Sequence, residues 1–198
     1  MTRWTQLLDG SGLPDRATIG GKAWSIARMA SLGLDVPPAF VIGTPACNAY
    51  LEVGGFPAGL EDEIASGIAW LEEQTGRNFG TGGKRLLLSI RSGAAISMPG
   101  MMDTVLNLGI DEAGEAALAA ETGLPEFAAD TQRRFRELYS AIVLKTPDDP
   151  DAAIPADVHS QLLGAVQAVF DSWNTRRARR YREHNGIAHD LGLSLIHI

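Results

Sequence analysis

Apolar residues recur at helical spacing through most of this chain and gather at strand-like density in only a few places. Ala23, Ile26, Ala27 and Ala30 fall at i, i+3, i+4 and i+7, which predicts a helix over about 22–32 that Gly33 stops. Val36-Pro37-Pro38 reads as extended linker and Phe40-Val41-Ile42 as a short strand. Thr44-Pro45 opens the next helix as N-cap and first-turn proline, and Gly54-Gly55 ends it. Leu60, Ile64, Ile68 and Leu71 line one face of a helix over about 60–74, with Glu61, Asp62 and Glu63 in its first turn. Residues 76–85, GRNFGTGGKR, read as a glycine-rich turn before the apolar run Leu86–Ile90. A second strand-like run follows at Thr104–Leu108.

From residue 111 the pattern turns helical. Residues 111–122 form one helix closed by Gly123, and 125 to about 145 a long one with Phe127, Phe135, Leu138 and Ile142 on a common face. Pro147–Asp151 is a linker; Val158, Leu162, Ala165 and Val169 mark another helix, and 175–185 the last, closed by Gly186. The organisation is therefore α/β (α+β): a mixed subdomain over 1–110, a mainly helical insertion over 111–172, and a returning helix over 173–192.

Composition narrows the function classes. With 45% hydrophobic and 21% charged residues the chain has enough apolar material for a sizeable core. A net charge of -7 argues against nucleic acid or an anionic membrane as the main partner. One cysteine, Cys47, excludes an internal disulfide and reads as core packing in a reducing, cytoplasmic setting. The first residues carry no apolar signal core, and no run approaches the ~18 apolar residues of a membrane span. His159, His184 and His189 lack metal spacing, and no zinc-like cluster occurs.

The chemistry concentrates in Leu86–Gly109, LLLSIRSGAAISMPGMMDTVLNLG. An apolar strand delivers Arg91 to its end, and small residues, Ser92-Gly93-Ala94-Ala95, let backbone approach a ligand. Arginine's planar fork can hold two phosphate oxygens, although a strand-end arginine also serves in structural ion pairs. Ser97 to Thr104 is a loop around Pro99-Gly100 that could close over a polyphosphate through Ser97, Gly100, Met101, Asp103 or Thr104. Its methionines could equally be adaptable core filler. Upstream, Gly20-Gly21-Lys22 opens a helix, where amides, a positive helix end and an ammonium could meet one anion. Taken on spacing alone, that lysine reads first as a solvated side chain near a turn, since P-loop spacing is absent.

The segment RSGAAISMPGMMDTVLNLG closely resembles the nucleotide-binding domain of the pyruvate, phosphate dikinase family, with Met98–Asn107 matching unbroken. The resemblance extends through Gly20-Gly21-Lys22 and Phe170–Asn174, over about 18–192. It implies the N-terminal part of an ATP-grasp-like fold in which Lys22 and Arg91 contact ATP phosphates. It also implies magnesium, whose ligands belong to later strands, and a reaction taking ATP, phosphate and pyruvate to AMP, pyrophosphate and phosphoenolpyruvate. In that scheme the phosphoryl group rides on a histidine of a separate domain to a pyruvate barrel, in a homodimeric whole enzyme. The carrier histidine is absent from these 198 residues, so no catalytic set is complete here and the chain alone should not run the reaction. The residues after Lys22, Ala23-Trp24-Ser25-Ile26, depart from the family's usual Gly-Ala-Asn-Leu, which puts the local pocket shape in question.

The resemblance ends at Gly192. Leu193–Ile198, LSLIHI, matches one translated frame of a transposase adapter used in DNA library preparation, and reads as an adapter-derived tail on a fragment. Other readings are a related dikinase such as phosphoenolpyruvate synthase or a glucan dikinase, and a stand-alone, non-catalytic nucleotide-binding module. A third alternative is a basic interaction helix at Arg176, Arg177, Arg179, Arg180 and Arg182. By default that run is a solvated helix with Ala178, Tyr181 and Asn185 inward.

Overall fold

A computed structural model describes residues 3–149 and 153–197. The chain divides into two compact units, each assembled from separate stretches: 1–67, 91–103 and 169–198 form one, 68–90 and 104–168 the other.

In the first unit, β1 (Thr5–Leu7) pairs antiparallel with β2 (Phe40–Ile42), and β2 pairs antiparallel with β7 (Ser194–His197). The registers match Thr5 with Ile42, and Phe40 with His197. Strand β5 (Leu88–Gly93) is the next neighbour of β7 and passes from one unit into the other between Ile90 and Arg91. All three residues of β2 are buried, as expected of a strand covered on both faces. On one face Val41 joins Leu8, Ile19, Ala23, Ala27, Ala39 and Ile196 in a core cluster under α1 (Arg16–Ser31). On the other, Phe40 stacks on the His197 ring at 4.4 Å, and Gly67 of α3 (Leu60–Thr75) lies so close that a Cβ there would come within 2.9 Å of the Phe40 ring. Only glycine lets the helix approach that ring.

Helix α2 (Thr44–Val53) packs on β7 and α1, with Ala46, Cys47 and Tyr50 buried. Its N-cap is Gly43, with Thr44 already inside the helix, one residue earlier than the sequence pattern places the cap. Gly54 ends the helix in the left-handed conformation. Burial pushes the Cys47 thiol up to about 12, consistent with a packing role.

Helix α7 (Arg176–His184) starts on a Thr175 cap whose hydroxyl accepts from Ala178 N–H. Ala178 is inward as expected, but Asn185 is exposed, and the second buried side chain is Arg182, 0% exposed. Its guanidinium stacks 4.0 Å over the Trp173 ring, donates to Trp173 C=O at 2.5 Å and through Nε to His189 Nδ1 at 3.0 Å.

In the second unit, β6 (Thr104–Leu108) is covered by α5 (Pro125–Tyr139), which also packs on α4 (Glu112–Thr122). Asp111 caps α4 by accepting from Gly114 N–H at 2.6 Å, and Gly123 closes it. The buried face of α5 is Ala128, Thr131, Phe135 and Tyr139. Phe127, assigned to that face by spacing, is 52% exposed. The helical run reaches Leu144, close to its expected end at about 145, with Ser140–Leu144 in a wider π-helical turn. The glycine-rich 76–85 stretch holds two very short strands, β3 (Asn78–Phe79) and β4 (Arg85–Leu86), paired in parallel. Helix α6 (Val158–Ser172) carries Leu162, Ala165 and Val169 inward as its spacing predicts. Part of the 147–151 linker lies outside the described residues.

Whatever the origin of Leu193–Ile198, Ser194–His197 do not hang free as a tail but form β7, buried throughout; Ile198 lies outside the described residues. Among the described residues no helix is long and apolar enough to cross a membrane.

Candidate functional site

Of the sequence-predicted residues of the first unit, Gly20, Gly21 and Lys22 lie against β5 and the residue after it. Helix α1 begins at Arg16 on an Asp15 cap and breaks at Gly20, whose φ of 78° and ψ of 162° interrupt the helical path. The helix restarts at Gly21-Lys22, close to where spacing alone starts it. A Cβ at Gly20 would lie 2.8 Å from Ser194 Oγ and 3.0 Å from Ala94 N, so the left-handed backbone and the close approach both require glycine. Ser194 donates to Ile19 C=O at 2.6 Å, which fixes the carbonyl just before the break. Gly21 N–H donates to Ala94 C=O at 3.3 Å, and Lys22 Nζ donates to Ser92 C=O at 3.0 Å. Two of these bonds hold Gly21 and Lys22 against β5 and the residue after it, and the third ties Ile19 to β7.

Arg91 sits one residue before Ser92, the residue whose carbonyl Lys22 reaches. Strand β5 does not end at Arg91 but continues to Gly93. Arg91 is exposed on it, between the buried residues Ile90 and Ser92. Neither cation pairs with a carboxylate among the described residues. The Lys22 ammonium on the Ser92 carbonyl, near Gly93 and Ala94, has no carboxylate partner among the described residues, so an anion could meet it without displacing an ion pair.

Trp24 does not fill this turn. It is half-buried against the α1 core cluster, with the guanidinium groups of Arg28 and Arg16 at 5.4 Å and 5.7 Å from its ring.

The Ser97–Asp103 loop is arranged differently. Ser97, Pro99 and Gly100 are exposed, and Gly100 has a φ of 71°. Met98 is buried, and Met101 N–H donates to Met98 C=O at 3.2 Å to close a turn. Asp103 N–H donates to Ser172 Oγ at 3.4 Å, and its carboxylate stands 3.8 Å from Arg177. No hydrogen bond or ion pair joins the loop to Lys22 or Arg91 among the described residues. Thr104 is the first residue of β6, in the second unit. Sequence reasoning missed Ser194 and Ser172, which hold the Gly20 turn and the loop exit. No motif marks a lone serine as a brace, and only long-range contact reveals it.

Among the described residues no three His, Cys, Asp or Glu side chains gather as a metal site. The carboxylate nearest the loop, Asp103, faces an arginine instead. This stretch therefore does not fit a bound magnesium ion on its own.

Comparison with known proteins gives a consistent match. The chain fits the family described as "Pyruvate phosphate dikinase, AMP/ATP-binding domain" over residues 16–70 and 54–196. Pyruvate, phosphate dikinase 1, chloroplastic, of Zea mays is 40% identical over 210 aligned residues, 85% of this chain and 22% of the relative. The Rhizobium meliloti pyruvate, phosphate dikinase is 38% identical over 222 residues, 91% of this chain and 25% of the relative. That of Clostridium symbiosum is 34% identical over 237 residues, 98% of this chain and 27% of the relative. The chain thus spans about a quarter of the length of the curated relatives it matches.

Proposed function

This chain belongs to the pyruvate phosphate dikinase AMP/ATP-binding domain family, and from that premise we propose that it binds ATP through its phosphates at the Lys22–Arg91 seam. The observation that supports this reading is that Lys22 reaches the strand residue next to Arg91, the Gly21–Ala94 bond holding its turn there, and that neither cation has a carboxylate partner among the described residues. Arg91 supplies a planar fork for two phosphate oxygens, and Lys22 a point charge at a helix start. Preorganised positive charge of this kind is how phosphoryl-transfer sites lower their barriers. In this reading Gly20, Gly21 and the exposed Ser97–Asp103 loop would supply the surrounding wall, with Gly100, Met101 and Asp103 on the segment that approaches bound phosphate.

In a longer protein this stretch is the nucleotide-binding front of a cytoplasmic or organellar dikinase. ATP would phosphorylate a histidine on another domain, and that histidine would pass the phosphoryl group to pyruvate on a barrel domain. Magnesium would enter with the nucleotide, on phosphate oxygens and on ligands from outside this stretch. These 198 residues alone turn over no phosphoenolpyruvate.

The test is calorimetric titration of the chain with ATP. Arg91→Ala is expected to weaken binding by roughly 10–100-fold, the range of one charge-assisted bidentate contact. Unchanged affinity in both Arg91→Ala and Lys22→Ala would overturn the reading.

A further inference from the structure

The loop after β5 is pinned at two points and bare between them. Met98 is buried at one end; at the other, Met102 and Asp103 meet Ser172, the last residue of α6. Ser172 is 1% exposed, with Phe170 and Trp173 buried beside it. A hydroxyl among such neighbours is costly to bury unless it is used. Its single hydrogen goes to Val169 C=O at 2.6 Å, which fixes the oxygen and leaves its lone pairs facing the loop. There it accepts from Asp103 N–H at 3.4 Å, with Met102 Sδ 3.8 Å away. The Asp103 carboxylate adds only a loose contact to the exposed Arg177 at 3.8 Å. Between the two pins Pro99 and Gly100 stand in solvent, and Ser97 is exposed just before the first.

We propose that Ser172 is a positioning residue for the Ser97–Asp103 loop, setting where its exposed tip stands to meet the phosphates of a bound nucleotide. The proposal rests on the phosphate reading of Lys22 and Arg91. Ser172 acts through Asp103 and Met102 and touches no ligand itself. Two cations can hold an anion from one side only; a loop with a fixed exit supplies a second wall with little ordering cost on binding.

The experiment titrates ATP and adenosine into the wild-type chain, Ser172→Ala, Ser172→Thr and Arg91→Ala. Amide hydrogen exchange is followed over 97–103 in the same proteins. In Ser172→Ala the Asp103 amide should exchange ~10-fold faster, and the ATP dissociation constant should rise ~3–10-fold, the worth of one lost hydrogen bond. Adenosine binding should not change, and Ser172→Thr, which keeps the hydroxyl, should restore ATP affinity. Equal weakening of ATP and adenosine would make Ser172 a packing residue only and overturn the proposal. So would unchanged ATP affinity in Ser172→Ala alongside a loss in Arg91→Ala. If Arg91→Ala has no effect and ATP binds no better than adenosine, the phosphate reading itself fails and takes the proposal with it. Should Ser172→Ala not fold, Ser172→Cys, of similar volume with a weaker donor and acceptor, is expected to show the same ATP-specific loss; its absence would overturn the proposal.

Discussion

Two arginines in the same unit hold opposite positions. Arg91 stands exposed on β5 with no carboxylate partner among the described residues, while Arg182 is fully buried on α7 between Trp173 and His189. Neither has a carboxylate partner among the described residues, but Arg182 spends donors on Trp173 C=O and His189 Nδ1 and its flat face on an indole. Only its Nη2 is left without a partner. Arg91 spends nothing. A guanidinium whose donors are consumed by the fold is a structural strut; one whose donors are all free beside a second cation is available for a ligand.

The comparison breaks most sharply at Arg182. Truncating it to alanine opens a cavity against Trp173 and strands a buried carbonyl, so Arg182→Ala should cost about 2–4 kcal/mol. Urea unfolding measures this, and Arg91→Ala in the same assay should shift stability by less than about 0.5 kcal/mol. If both arginines prove equally costly, Arg91 is also a strut and the ligand site loses its main support.

Next in size is Gly20→Ala. The left-handed backbone and the 2.8 Å approach to Ser194 Oγ together should cost about 1–3 kcal/mol. Because Lys22 follows the break directly, ATP affinity should fall beyond what lost folding explains. A variant that loses stability but binds ATP normally when folded would detach the turn from the phosphate site.

A graded effect, small for each pH unit, comes from β7. The His197 ring stacks on Phe40 in the core, and neither ring nitrogen has a hydrogen-bond partner. Burial pushes its pKa down to about 3; only the Leu195 backbone lies near enough to oppose that, without hydrogen-bond geometry. The folded state therefore keeps the imidazole neutral while the unfolded chain takes up a proton below its ordinary value near 6.5. This contribution is fully present above about pH 6.5, falls as pH drops through the window, and stops falling near pH 3. Within the window the loss should approach ~1.4 kcal/mol per pH unit. His197→Phe, which keeps the stack, should flatten that slope in urea titrations; an unchanged slope would assign the acid sensitivity elsewhere.

These residues also explain what the sequence made legible. Helical spacing found Leu60, Ile64, Ile68 and Leu71, all buried, because on an isolated helix burial follows apolarity. It misassigned Phe127 because the true α5 face includes Thr131 and Tyr139, which a count of aliphatic and Phe positions omits. The strands β3 and β4 are two residues each, too short for any period to show. In the site, Arg91 was readable from a dense local motif and Lys22 only through the family resemblance, while the Ser194–Ile19 bond that braces the turn joins residues 175 apart and leaves no local signal. Arg182 was hidden by charge itself. A basic run reads as solvated, and only the Trp173 ring beneath one member of it makes that arginine internal.

The smallest effect is expected from the remaining arginine contact, Arg177 with Asp103. At 3.8 Å, with Arg177 60% exposed, water and ions screen most of the attraction. Arg177→Ala should change stability by under about 0.5 kcal/mol at low salt, and by nothing measurable in molar salt, where the screening length falls to ~3 Å. Its value lies in what it separates. Arg177 and Ser172 reach the same end of the same loop, one through solvent and one through the core. If Arg177→Ala weakens ATP binding as much as Ser172→Ala does, and the loss vanishes in salt, the loop is held by charge rather than by the buried hydroxyl. If ATP affinity is indifferent to Arg177, a surface guanidinium over a carboxylate contributes to neither folding nor binding. The three arginines then order by how their donors are used: within the core, on a ligand, or in water.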